Sequence, residues 1–433
     1  MTAARAWAAL VVVLAGCHQA AARGGGETTV IEFWGLGREG EVVQALMPEF
    51  ERAHPGLHVK VQQIPWTAAH EKLLTAFVGR ATPDVAQLGN TWVPEFVALD
   101  ALARLDSLVA RSGEVRASSY FPGVWATNML DSALYGVPWY VDTRVIFYRK
   151  DLLARAGFPT FPTGWSDWIA AMRAIQAQNG PGRYPIYLAT NEWPPPTILG
   201  LQAGSAILKD GGRYGAFGDP PFRRAFQFYL SMYRAGFAPR LGINEVGNIF
   251  QEFGRGTFAM WITGPWNIGE FRRRLPAELQ NTWATAPIPG PQGAVSGVSL
   301  AGGSSLVLFR ASRHPVAAWQ LIEYLSRPEQ QLRFYRLTGD LPARTEAWRD
   351  SVLARDAAAH AFWEQLQRVV PTPQVPEWEL IATRLFEYAE QAIRGGVPVD
   401  TALARLDAEV NRILERRRWL LARAATQHAS AGR

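Results

Sequence analysis

Along the first ninety residues the apolar positions change period in a regular way. Val30 to Trp34 is a short apolar-rich run of the kind a buried strand makes. Glu41 to Ala53 then places Val42, Val43, Leu46, Met47 and Phe50 on one helical face, and His54-Pro55-Gly56 stops it. Leu57, Val59, Val61 and Ile64 alternate in part with polar neighbours, which predicts a second strand. Ala69 to Val78 is helical again, Thr82-Pro83 breaks it, and Asp84 to Leu88 reads as a third strand. This alternation predicts an α/β domain with a largely parallel sheet.

The pattern continues. Tyr135 to Asp151 is a long extended segment rich in aromatic and β-branched residues, and Ser304 to Phe309 is a strand. Helical spacing recurs over Trp165–Gln178, Phe222–Ala235, Pro315–Leu325, Leu380–Ile393 and Thr401–Leu414. Glu192 to Pro196 reads as a rigid loop, because proline fixes φ and cannot donate. Arg416 to Arg418 read as a solvated helix end, where the dipole favours cations. No internal repeat and no low-complexity tract appears.

Composition narrows the class. The 433 residues suffice for two or three domains at roughly 150 residues each. With 19% charged residues the chain is an ordinary globular one. Its 17 tryptophans exceed what a core needs, so some face a ligand. The net charge of +6 is carried by scattered arginines with no basic stripe along an aromatic platform, which argues against nucleic-acid binding.

The N-terminus reads as a targeting segment over residues 1–17. Arg5 precedes a short apolar run, Ala8 to Leu14, too short to span a bilayer. Leu14-Ala15-Gly16-Cys17 then resembles a bacterial lipobox, where the signal is cut and the cysteine lipidated. The alternative is a plain secretory signal with an incidental cysteine. Cys17 is the only cysteine, so no intramolecular disulfide forms. Residues 18–27 are small and Gly-rich, a flexible tether. The folded body is expected outside the cytoplasm, at a membrane surface.

Several chemistries can be set aside. His54 and His58 have metal spacing only on a helix, which Pro55-Gly56 destroys, so no metal site is expected. Gly297 to Ala301 approaches a nucleophile elbow, but a strand follows the serine where a helix is required. Gly35, Gly37 and Gly40 form a literal G-x-G-x-x-G. A dinucleotide site would place an acidic residue at the end of the second strand, and Gln62-Gln63-Ile64-Pro65-Trp66 has none. No cofactor is expected.

What recurs is an aromatic beside polar groups at strand ends and loops. Trp34 precedes Arg38 and Glu39, Gln63 precedes Trp66, and Asn90 lies near Trp92. Trp139 and Tyr140 precede Asp142, Thr143 and Arg144. Trp193 sits beside Glu192, Trp266 beside Asn267, and Trp378 between Glu377 and Glu379. An indole covers the C–H face of a sugar, while carboxylates, amides and guanidiniums hold its hydroxyls. For any one tryptophan, core packing is at least as good a reading; Trp168 and Trp319, on helix faces, belong there.

With these residues the chain resembles the extracellular solute-binding proteins of family 1. That sugar-binding group includes maltose-binding protein and the trehalose/maltose-binding lipoproteins of ABC importers. The resemblance rests on the order of the lipobox, VIEFW, PEFERAHPGLHVKV, TPDVAQL, GVPWYVDTRVIFYRKDLLARAGF, FAMWITGPW, VSLAGGSSLVLF, HPVAAWQLIEYLSRPEQQ and TGDLPAR. It implies a two-lobed periplasmic-binding-protein-like α/β fold, each lobe a mostly parallel sheet flanked by helices, hinged by three crossings. The crossings would fall near Tyr140–Arg144, Leu300–Ser304 and Leu341–Arg344. One lobe would comprise 28–140 plus 304–342, the other 144–300 plus 345–425, with 426–433 a disordered tail. The resemblance further implies a sugar lined by the Trp34–Glu39 loop, Asn90, Trp92, Tyr140, Asp142, Trp266 and Trp378, with Trp193 from the second lobe. Gly302 and Gly303 would let backbone approach the ligand, and Arg344 would clamp a hydroxyl. Arg38 and Glu39 differ from the acid/base pair of the maltose-binding relatives.

The implied function is a membrane-anchored, monomeric sugar receptor that delivers a disaccharide or short oligosaccharide to an ABC permease and catalyses nothing. Arg38, Arg144 and Arg344 keep a phosphorylated solute such as a glycerol-phosphodiester open, with a polyamine a further non-sugar solute. A secreted glycoside hydrolase is the rival from another class.

Overall fold

The computed structural model describes residues 28–431. The expectations for the signal segment, Cys17 and the tether lie outside the described residues. Two sheets organise the chain. The larger has six strands: β1 (Thr29–Leu36), β2 (Leu57–Ile64), β3 (Val85–Gly89), β4 (Gly136–Asp142), β8 (Gly302–Leu308) and β9 (Leu341–Pro342). The smaller has three: β5 (Val145–Arg149), β6 (Met260–Thr263) and β7 (Trp283–Ala286). The helices used below are α1 (Gly37–Val42), α2 (Trp66–Val78), α3 (Pro194–Gln202), α4 (Trp266–Arg274), α5 (Ala357–Leu366), α6 (Trp378–Arg394), α7 (Val399–Ile413) and α8 (Glu415–Ala431).

The large sheet runs β9-β4-β8-β3-β1-β2. β1 pairs with β2 and β3 in parallel, with helices between them. β8 is antiparallel to β3 and β4, and β9 is antiparallel to β4. In the small sheet both pairings are antiparallel. The expectation of mostly parallel sheets is thereby corrected. Parallel neighbours need a crossover that brings the chain back to the end of the sheet where the first strand began. Here β4 ends at Asp142 and β5 begins at Val145 in the other sheet. The chain returns to the large sheet at the end where it left, with Gly302 of β8 opposite Asp142 of β4, so β8 runs antiparallel.

Strand β1 shows how the faces are assigned. Phe33 joins a core cluster with Val43, Leu46 and Phe50, while Trp34 points the other way into one with Ile64, Ala69 and Leu73. A separate cluster under the small sheet holds Trp168, Met172, Phe226, Tyr229 and Leu385. The first cluster also takes in Phe147 of β5, Trp283 of β7, Trp348 and Phe362. Apolar packing therefore continues from one sheet to the other through the segment around α5.

Three local readings are revised. Pro194 to Pro196 open α3, where a proline at the first turn costs no hydrogen bond. Glu41 to Ala53 is broken into α1, a 3₁₀ turn and a short helix Met47–Ala53. Arg416 to Arg418 lie inside a new helix, α8, which also covers 426–431, assigned above to a disordered tail. Alanines in that stretch favour helix. No described helix is long and apolar enough to cross a membrane.

Candidate ligand-binding cleft

The site grows out of the turn between β1 and α1. Gly37 has φ of +53°, a conformation that favours glycine, and a Cβ there would run into the Trp66 indole. Gly35 and Gly40 lie back to back, with no room for a Cβ on either. The three glycines thus let the loop fold tightly against the start of α2. Gln63 holds it by donating to the Gly37 carbonyl at 2.8 Å.

Glu39, presented by this turn, is the centre of a network. It accepts from the Trp66 indole N–H at 3.3 Å and from the Tyr140 hydroxyl at 3.4 Å. The Tyr140 oxygen in turn accepts from Gln87 at 3.0 Å and Ser304 at 2.9 Å. Gln87, fully buried in the middle of β3, also accepts from the Leu36 backbone N–H at 2.8 Å. One glutamine therefore ties together β1, β4 and β8 beneath the turn. Neither Gln87 nor Ser304 was singled out from sequence; a lone Gln between Ala86 and Leu88 in a buried strand was the available signal.

Carboxylates gather here. Burial raises the Glu39 carboxyl above the ordinary range. Asp340, at the end of the chain leading to β9, is pushed up to about 8, by burial first and then by the charge of Glu39. Asp142 is raised by burial despite its 2.6 Å pair with Arg144. Arg144 also lies over the Trp266 ring, 4.6 Å from its centroid, and Glu192 is raised by burial with Arg144 pulling against it. Trp266 is 42% exposed and borders a cavity of about 360 Å³ whose walls include Glu192, Tyr187, Trp261 and Asn267. Asn267 is fixed by a 2.7 Å bond to Thr263.

At the other side, Asn90 donates to the Ala301 carbonyl at 2.9 Å, tying β3 to the chain entering β8. Trp92 meets Trp66 edge to face at 5.7 Å. Burial raises the carboxyl of Glu379 of α6, with Thr91, Trp92 and the His70 charge pulling against it. His70 is raised by its 2.6 Å bond to Glu95. Arg38 reaches the Leu337 carbonyl at 3.2 Å, beside a cavity of about 330 Å³ lined jointly with α4.

The structure thus links Gln63, Glu39, Trp66, Trp92 and Tyr140 through contacts around the β1–α1 turn, and Asp142 through Arg144 to Trp266, while Asn90 bonds the chain entering β8 and Arg38 borders a separate cavity. Of the other candidates, Trp34, Trp378 and Arg344 are corrected. Trp34 is packed against α2 with Lys72 over its ring, because β1 alternation points it away from the turn. Trp378 is wholly buried, and Trp193 packs edge-on against it at 5.5 Å. The residue after Trp378, Glu379, lies instead near Thr91, Trp92 and His70. Arg344 is 6% exposed and donates to the carbonyls of Glu114 and Ser326 and to Glu346, so its guanidinium is already engaged. Gly302 and Gly303 let backbone approach β4: a Cβ on either would strike the carbonyl of Asp142 or Tyr140. A larger cavity, about 460 Å³ around Trp348, His360 and Trp363, shares none of these residues. Among the described residues no cluster of His, Cys, Asp and Glu is placed to hold a metal ion.

Comparison with known proteins identifies the family. A model of bacterial extracellular solute-binding proteins matches residues 34–332. The sugar-binding protein MalE of the phytopathogen Xanthomonas citri is similar in structure, with TM-score 0.88 and 48% identity, over 91% of this chain and 99% of that one. The diacetylchitobiose-binding protein DasA of Streptomyces coelicolor is 25% identical over 85% of each chain. The galactooligosaccharide-binding protein of Bacillus subtilis is 24% identical over 87% of this chain and 88% of its own. The family match spans most of the chain and includes the turn, β3, β4 and α4 from which the cleft is built, so this chain belongs to the bacterial extracellular solute-binding protein family.

Proposed function

We propose that the protein captures a sugar, a disaccharide or short oligosaccharide, in the cleft and delivers it to the permease of an ABC importer, acting as a monomer without catalysis. The observation that carries this reading is the Glu39 network: a carboxylate held by Trp66 and Tyr140, beside exposed indole surface. A carboxylate so fixed accepts sugar hydroxyls, and the Trp66 and Trp266 faces suit sugar C–H groups. MalE, DasA and the galactooligosaccharide-binding protein are named for saccharides, which supports the same class.

A phosphorylated solute is less well served. Arg344 is engaged in the core and Arg144 is neutralised by Asp142, whereas Glu39, Asp142, Glu192, Asp340 and Glu379 crowd the space with acids. Ligand capture would draw the lobes 28–140 plus 304–342 and 144–300 plus 345–425 together, because a ligand touching both favours the closed state. The change of sheet between β4 and β5 supports a hinge there. Lipidation of Cys17 would hold the receptor at the outer face of the membrane. Titrating intrinsic tryptophan fluorescence with maltose, trehalose and glycerol-phosphate compounds tests the reading. Saturable change with a disaccharide supports it, and a response to the phosphate compounds alone rejects it.

A further inference from the structure

Away from the cleft, helix α8 presents a face that none of the described residues covers. Its inner side is tied down: Arg418 donates to the carbonyls of Arg213 at 3.0 Å and Asn411 at 2.8 Å, and lies over the Tyr214 ring. Arg416, Trp419, Leu420 and Arg423 recur at i, i+3, i+4 and i+7 and so share the opposite side. Trp419 is 55% exposed and Leu420 49%. The Arg423 guanidinium stacks over the Trp419 ring, 4.6 Å from its centroid.

The charge on this face is unanswered. Arginines on the two preceding helices pair with acids: Arg384 with Glu387, Arg394 with Glu390 and Glu245, Arg412 with Glu409. Glu415 is the only acid in α8, and among the described residues Arg416 and Arg423 pair with no carboxylate. A partner for this face must be anionic and must accept an indole and a leucine at its edge.

We propose that the outer face of α8 contacts an anionic phospholipid surface. An indole rests at the headgroup level of a bilayer, and flanking arginines reach phosphates while their stems cover apolar surface. Two apolar side chains make the contact weak and reversible, a helix lying on the membrane and not anchored in it. With an acyl chain on Cys17 the contact becomes intramolecular, and its effective concentration rises accordingly. The inference is independent of which solute the cleft takes.

The test uses the full chain carrying Cys17→Ser, so that no acyl chain is attached, sedimented with phosphatidylcholine vesicles with and without phosphatidylglycerol. Binding is expected to rise about tenfold with the anionic lipid and to fall as salt screens it. The variant Arg416→Ser/Trp419→Ser/Arg423→Ser loses that gain, while Arg416→Lys/Arg423→Lys keeps most of it. Both variants melt with the parent and keep its solute affinity, since the face is solvent-exposed. Equal vesicle binding by the parent and the triple variant overturns the proposal. So does absence of binding to anionic vesicles, or a concentration-dependent dimer that the triple variant abolishes, which would give the face to a second copy.

Discussion

The Trp66 indole N–H donates to Glu39 across the β1–α1 turn at 3.3 Å, and the same carboxylate accepts from Tyr140. Trp66 keeps 38% of its surface exposed, so one residue pair supplies both an acceptor and apolar surface. Glu39→Gln removes the charge and is expected to weaken sugar binding by about ten- to a hundredfold, the range of one charged hydrogen bond. Calorimetric titration checks this, and an unchanged Kd would remove Glu39 from the site.

Trp266 and Trp34 are expected to separate affinity from stability. Trp266 is open to the cleft under Arg144, so Trp266→Ala weakens binding with little change in melting. Trp34 is packed against α2, so Trp34→Ala costs about 3 to 5 kcal/mol of stability. Denaturant titration beside ligand titration distinguishes the two; the reverse pattern would return Trp34 to the cleft.

Arg344 is expected to behave as a core residue. Arg344→Met leaves the carbonyls of Glu114 and Ser326 without their donor and should cost about 3 kcal/mol. The Kd of the folded fraction stays within about twofold of the parent, a difference well under 1 kcal/mol. A variant of full stability and lost affinity would contradict its placement.

The buried acids make stability depend on pH. Asp340, raised to about 8, is favoured in its neutral form by the fold, whereas an unfolded Asp ionises near about 3.9. The stabilisation is complete below about pH 4 and is lost as pH rises through about 8. Glu39, Asp142, Glu192 and Glu379 are raised in the same direction. The ligand-free protein should therefore melt higher near about pH 5 than near about pH 8.5, and Asp340→Asn should flatten that slope. An identical slope in the variant would show that Asp340 ionises freely.

These residues also mark what could be read from the chain alone. Trp165–Gln178 and Pro315–Leu325 are helices with the bounds their apolar period predicts. The turn at Gly35–Gly40 was legible because glycine spacing reports backbone demand directly. Strand direction was not, since whether β8 enters parallel or antiparallel depends on which end of the sheet the chain returns to. Nor were Gln87, Ser304 and Asp340, whose roles come from contacts between segments far apart in sequence. Trp378 and Glu379 show the limit most sharply. One residue along a helix turns the side chain by about 100°, enough to exchange the buried core of Trp378 for the neighbourhood of Trp92 and His70.

The most direct test of the account is a thermal melt of the protein with each of a panel of disaccharides and glycerol-phosphodiesters. A disaccharide at about a hundredfold above its Kd should stabilise the fold by roughly 2.7 kcal/mol, and the shift should vanish in Trp266→Ala/Glu39→Gln. A shift with a phosphodiester and none with any disaccharide would contradict sugar capture.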